Sequence, residues 1–448
     1  MKRMNTVRSH MKASKVVAGL LALVAACGPN EASESESPST ALEFTSPRVV
    51  SLETDNGATP MLFTTSGGDR VLAWVSAEGG GEDGRLHFSV TRAKEPTPRE
   101  TVTVSDPLGP IEPHGEAPPK IAEGDEGELH VLYAVGKVVP GLRFPLSSLR
   151  LIRSDDLGAT WSDPVTVNDG EKFGSNNFHA LTAAAGLVVV TWLESDRDFT
   201  RVAMSRSFDR GETWEARQTI NVDPGCECCR TSVAIHPDGE MYVAWRTIAE
   251  GEVRDIVVAR SPDLGDTWEE AVRPRADDWI FPACPHAGPS LRIDETGVLH
   301  IAWWTGKEGE AGVYYARSKD GGRTWAAHPI AIGDRSVPAH VQVETEGRHV
   351  LVAWDDGLAD MPSIMLRRST DGGGTFLPAQ RVSEAGFAAT FPVLTMYGGL
   401  LSIAWSQRGE QSYRETGASH PDMSDPDAVM ELPRVGQSEI FLRLTSLD

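Results

Sequence analysis

Three of the chain's five cysteines fall within four positions, as Cys226, Cys228 and Cys229 in "PGCECCR", and Cys284 follows in "FPACPHAGPS". Thiols so placed have two chemistries open to them. In an oxidising compartment four cysteines make two disulfides; pairing Cys228 with Cys229 closes a strained ring, so a bond from one of them to Cys284 is the expected staple. Thiolates beside imidazoles also suit copper or zinc, although C-x-C-C is not the paired C-x-x-C spacing of zinc ribbons. The imidazoles are His114 in "EPHGEAPPK", His179 in "NNFHALT", His286 beside Cys284, and His340 in "VPAHVQV". Arg230 follows the cysteine run directly, and Glu194, Arg246, Trp304 and Asp355 each close an apolar strand pattern. Guanidinium, carboxylate and indole groups of this kind bond and stack on a polyhydroxylated ligand.

A repeat must position these groups. A short apolar strand ending in an aromatic recurs at Trp74, Tyr133, Trp192, Trp245, Trp303, Trp354 and Trp405, with spacings of 59, 59, 53, 58, 51 and 51 residues. Most units hold an earlier apolar strand, a polar or Gly turn, the aromatic-ended strand, a third strand, an acidic turn and a short last strand. Four short strands per unit of about fifty residues is the pattern of a β-propeller blade. The expected fold is therefore all-β, with seven four-stranded blades. The last unit lacks its fourth strand, and "SPRVVSLET" near residue 50 is the expected partner that closes the ring and hides the sheet edges.

The acidic turns read "SDDLGATW", "SFDRGETW", "SPDLGDTW", "SKDGGRTW" and "STDGGGTF", centred on Asp156, Asp209, Asp263, Asp320 and Asp371. They resemble the Asp boxes, or BNR repeats, of the sialidase superfamily. Their sense is structural: the carboxylate accepts backbone N–H groups within a turn, Gly takes a positive φ, and the aromatic packs between sheets. The resemblance implies a sialidase-like propeller, for which six blades is the alternative count, with the Asp boxes on the face opposite the functional one. On that functional face it gathers the entries to the inner strands and the exits from the second strands: His114, Glu116, His179, the cysteines, Arg230, His286, His340, Phe391, Glu194, Arg246, Trp304 and Asp355. It also implies an arginine triad and a Tyr nucleophile, but the first inner strand, "ATPMLFTT", carries no Arg and no tyrosine context matches.

The N-terminus carries five Lys or Arg and no acid before the apolar run Val16 to Ala26, then "VAAC". That is a secretory signal, and the junction resembles a bacterial lipobox, which implies lipidation of Cys27. The expected organisation is a signal peptide over 1–26, a Ser/Glu/Pro-rich tether over 27–44, and one propeller domain over 45–448 with a polar insertion at 406–437 that could cover the channel mouth. Removing residues 1–26 takes the formal charge from −22 to −27. A surface so acidic repels phosphate backbones and argues against nucleic acid. The expected protein is a monomer, exported and held on the outer membrane by lipid alone, that binds or processes a carbohydrate or other extracytoplasmic ligand, glycan or protein, at the channel mouth. A copper or zinc protein using the Cys/His cluster, and an exo-α-sialidase or other glycoside hydrolase with a divergent site, are the other readings.

Overall fold

The alternating apolar patterns form the strands expected of them, and the computed structural model arranges them as seven antiparallel sheets. It describes residues 41–447 apart from 52–55, 77–82, 96, 143–144, 170–172, 197–198, 334–338, 358–360 and 417–437. The signal segment 1–26, Cys27, most of the 27–44 tether and most of the 406–437 insertion lie outside the described residues.

The inner strands of blades 1 to 7 are Gly57–Thr64, Lys120–Glu123, Asn176–Ala184, Ser232–Ile235, Ser290–Ile293, Gln342–Glu346 and Phe387–Tyr397. Each touches the next, and the last touches the first, so the ring is complete. The alternative of six blades does not hold. Closure is by the N-terminal strand Arg48–Val49, which pairs with Leu442 and Phe441 of the last strand, Glu439–Ser446.

The second strand of each blade is its apolar centre. The seven aromatics that mark the repeat are buried there, with Trp74, Trp192, Trp303, Trp354 and Trp405 among the largest fully enclosed side chains. They pack between neighbouring sheets: Val71, Ala73 and Val75 of blade 1, for example, lie against Ile121, Val131 and Tyr133 of blade 2.

Pairing register fixes the two faces. In blade 3, Glu194 ends the second strand opposite Asn176 at the start of the first and Arg201 at the start of the third, whereas Ser207 ends the third strand opposite Val188 at the other end. The Asp boxes follow the third strands and so occupy the far face. All five repeat one geometry, seen in Asp156: its carboxylate accepts from Thr160 N at 2.8 Å, Thr160 Oγ1 at 2.7 Å and Ser154 Oγ at 2.9 Å.

Blade 4 departs from the four-stranded expectation, having three strands. Beyond one bridge of Val258 to Val272, the chain "RPRADDW" leaves the sheet edge. Pro274 has no N–H to give a ladder, and the charged residues find partners elsewhere: Arg273 with Asp255 and Asp278, Arg275 with Asp277 and Glu310. The chain then runs back along the blade, with Arg254 N donating to Trp279 O and Phe281 N to Glu252 O. Cys284 and His286 follow directly.

Candidate functional site

Residues from six blades meet at the face opposite the Asp boxes. The loop entering blade 2 crosses the channel mouth and carries Glu116, a carboxylate only 1% exposed. It is ion-paired with Arg230 of blade 4 and accepts Arg230 N at 3.2 Å and Gly288 N of blade 5 at 2.8 Å. His340 Nε2 of blade 6 lies 3.8 Å away. The second fork of Arg230 donates to Val341 O at 2.7 Å.

His340 is also bound to Asp355. Its Nδ1 lies 2.7 Å from Asp355 Oδ2 and its backbone N donates to Oδ1 at 2.6 Å, while Phe391 N of blade 7 donates to Oδ2 at 3.1 Å. Burial opposes both carboxylates' ionisation, but the facing cations and N–H donors outweigh it and hold Glu116 and Asp355 below the ordinary range. Burial likewise opposes the charged imidazole of His340, yet Asp355 and then Glu116 raise it overall.

Above this layer lie rings that remain partly exposed: His114, Phe178, His286, His340 and Phe391. His114 meets Phe178 edge-on at 5.3 Å and His286 at 6.1 Å, and Phe391 lies 4.3 Å from His340. The Phe391 ring reaches across to Gly115, where any Cβ would overlap it. Three of these rings sit on unusual backbone: Phe178, His286 and Phe391 have φ of 58°, 48° and 57°, and Thr59 of blade 1 has 51°. In blades 1, 3 and 7 this residue is the β-bulge of the inner strand. Bulges of this kind re-aim side chains at the end of a strand.

Below the rings lie two bases that cannot easily hold a proton. Burial, then repulsion from Arg230, lowers the Lys120 amine to about 7. His179 is fully buried; desolvation and Lys120 lower it to about 3. On the loop entering blade 2, burial raises Glu112 to about 7 although it accepts Ser147 Oγ at 3.0 Å and Asn177 Nδ2 at 3.1 Å. Tyr413, on the helix Glu410–Thr416 near the start of the insertion, is raised by burial and by the charge of Asp355, and this helix packs on the inner and second strands of blade 7.

The expected ligand groups divide. Arg230, Asp355, His114, His286 and His340 come together at the mouth. Arg246 is fully buried, and its hydrogen bonds end on the carbonyls of Ala287, Arg254 and Trp304. Trp304 is 2% exposed and packs edge-on against Trp279 at 5.2 Å, so it is core rather than an open platform. Glu194 turns outward to Arg217 and Arg201. An open arginine triad is not formed by these residues: Arg230 is neutralised by Glu116 and Arg246 is spent on carbonyls. Tyr314 donates to Glu310 O.

The cysteines make a second cluster beside the first. Cys226, Cys228 and Cys229 are buried, with Sγ separations of 3.1 Å (226 to 229), 3.7 Å (226 to 228) and 4.0 Å (228 to 229). Cys284 packs against them, as does Phe178, and its Sγ lies 3.3 Å from Glu227 Oε1. All four thiols are free. Arg254 Nη1 donates to Cys226 Sγ at 3.2 Å. Burial would raise the Cys226 thiol, but hydrogen bonds from Cys228 and Cys229 and the charges of Arg254 and Arg246 carry it well below the usual value.

The sequence reading did not assign roles to Lys120, Glu112, Phe178, Arg254 or Tyr413. Glu116 was placed at a strand entry, but nothing local announces a partner 114 positions away.

Residues 68–283 match the family described as BNR repeat-like domain. No curated protein matches the sequence. Among solved structures, an ulvan lyase described as a new family of polysaccharide lyase is 12% identical, covers 90% of this chain and 96% of its own, and superposes with a TM-score of 0.57. The polysaccharide lyase Uly1 is 13% identical over 87% of this chain and 90% of its own, at 0.51. A protein of Dyadobacter fermentans described as of unknown function is 14% identical over 91% of this chain and 99% of its own, at 0.52. With the five Asp boxes in equivalent turns of successive blades, the chain folds as a seven-bladed β-propeller whose residues 68–283 are similar to the BNR repeat-like family.

Proposed function

We propose that the protein is an exported, lipid-anchored, monomeric propeller whose mouth binds a saccharide across the exposed rings. The observation that carries this reading is the left-handed backbone residue at the inner-strand entry of four blades, which in three of them is Phe178, His286 or Phe391. Each such residue costs roughly 1–3 kcal/mol. Among the described residues, blades 2, 4 and 6 start their inner strands without one, so a blade does not require it. A pyranose offers C–H faces to phenyl rings and hydroxyls to imidazoles, which is the mixture these entries expose. The fixed charges below, Glu116 with Arg230 and His340 with Asp355, hold the floor rigid. The structurally similar ulvan lyase, which was solved bound to -[GlcA(1-4)Rha3S]-, agrees with a saccharide as ligand class. Should the ligand be processed as well as bound, Lys120 is the group suited to accept a proton near neutral pH and protonated His340 the one to donate.

Calorimetric titration with neutral, uronate-bearing and sulfated oligosaccharides tests the reading. Phe391→Ala and His114→Ala should each weaken binding about tenfold, corresponding to ~1.4 kcal/mol. Binding by no oligosaccharide, or equal binding by both variants and the parent, overturns it. Anchoring rests on the resemblance of "VAAC" to a lipobox: Cys27→Ser should move the protein from the membrane to the soluble fraction.

A further inference from the structure

We propose that Cys226, Cys228 and Cys229, with Cys284 as fourth ligand, bind one thiophilic d10 cation, Zn2+ or Cu+, and thereby clip together the entry loops of blades 4 and 5. A tetrahedral ion with metal–sulfur bonds of about 2.3 Å spaces its sulfurs about 3.8 Å apart. The three buried sulfurs already stand 3.1, 3.7 and 4.0 Å apart, close to one face of that tetrahedron. A single disulfide among the three would leave the third thiol buried against it. Cys284 packs on the same cluster from the neighbouring blade, its Sγ directed to Glu227 Oε1 and outside the close trio of sulfurs, so ligation requires its side chain to turn inward.

Charge supplies the independent argument. Arg246 is fully buried and its hydrogen bonds reach carbonyls alone, while buried Arg254 donates directly to Cys226 Sγ. Arg254 is already paired with Glu252 at 3.4 Å and Glu227 at 3.9 Å, so the guanidinium without an ion pair among the described residues is Arg246, and an uncompensated buried cation beside three sulfurs favours anionic charge there. Three thiolates on Cu+ carry −2 and on Zn2+ carry −1; four carry −3 and −2. Each Cys that ligates releases its thiol proton to solvent as the metal–sulfur bond forms, and no electrons are exchanged.

The clip has a consequence at the mouth. Arg230 follows Cys229 directly, and His286 stands two positions after Cys284. A metal joining the two loops would fix both the Glu116–Arg230 pair and the His114–His286 contact.

The test uses the full mature chain, reduced anaerobically and loaded with Co2+ as spectroscopic probe, then with Zn2+ or Cu+ in competition with a chelator. One equivalent of metal retained through gel filtration, with sulfur-to-cobalt charge-transfer absorption, is expected. Cys226→Ser should lower affinity at least ~100-fold. Arg254→Gln, which removes a group bonded to a ligand, should lower it about 10-fold. Cys284→Ser, at a partly exposed position, should lower it about 10- to 100-fold and weaken the thiolate absorption. Wild-type protein that retains no metal and gives no charge-transfer band after reduction overturns the site, and a Cys226–Cys229 disulfide in the protein before reduction would then make the cysteines a staple. Unchanged affinity in Cys284→Ser overturns the clip.

Discussion

Glu116→Gln offers the most direct probe of the mouth. The substitution keeps the shape of the side chain and removes its charge, leaving the Arg230 guanidinium, 4% exposed, with Val341 O and a neutral amide. Breaking one side of a buried ion pair costs about 3–5 kcal/mol, because the surviving charge stays desolvated. Taking ~4 kcal/mol, and an unfolding entropy of about 2.1 cal/mol/K per residue over roughly 400 residues, Tm should fall by about 5 °C. Arg230→Met should cost less, since Glu116 keeps the N–H groups of Gly288 and Arg230 and the nearby His340. The double variant should recover most of the loss, giving a coupling of at least ~2 kcal/mol. Thermal unfolding followed by tryptophan fluorescence and by calorimetry measures all four corners of the cycle. A single-variant shift below about 1 °C, or losses that add to within ~0.5 kcal/mol, would refute the claim that this pair ties the blades together.

Glu112 predicts a pH dependence. Its folded value is raised to about 7 by burial, so between pH 4.5 and 7 the folded state binds a proton that the unfolded state does not, and stability falls as pH rises through that window. Glu112→Gln should flatten that slope in denaturant titrations at pH 5 and pH 7; an unchanged slope removes Glu112 as its source. Asp209→Ala deletes the acceptor of Thr213 N, Thr213 Oγ1 and Ser207 Oγ on the far face, and should cost about 1–3 kcal/mol while oligosaccharide affinity stays the same. Gly115→Ala should displace the Phe391 ring, weakening ligand binding with a much smaller effect on Tm than Glu116→Gln.

The ring was legible because a blade cannot bury its sheet alone: each needs an apolar second strand and a bulky aromatic at its end, and both recur at a countable period. The closing strand was legible for a related reason, since the last unit ends one strand short and an unpaired edge needs a partner. The Asp boxes were legible because a turn of eight residues contains its own partners. The mouth was less so. Its cysteines and histidines are visible as types, and their common face follows from the blade order, but the pairings Glu116 with Arg230 and His114 with His286 join loops whose separation is set by the ring and by no local pattern. Arg246 shows the opposite failure. A basic residue at the end of a second strand reads as a ligand clamp, yet the local backbone turns its carbonyl partners inward and the guanidinium is consumed there.

Blade 4 shows how the fold and the mouth are traded against each other. Its outer edge is covered by the Val258–Val272 pair alone before "RPRADDW" leaves the sheet. The same segment is braced by Asp255, which accepts Asp278 N at 3.1 Å and Trp279 N at 3.2 Å, and by Arg254, which donates to Phe281 O. Those two residues thus steer the returning chain, and Arg254 also touches Cys226. One guanidinium therefore registers both the loop that delivers Cys284 and the loop that holds the other three cysteines. The path from the shortened ladder of blade 4 to the cysteine cluster, registered at both ends by Arg254, argues that the cysteines and the rings above them form one structural unit.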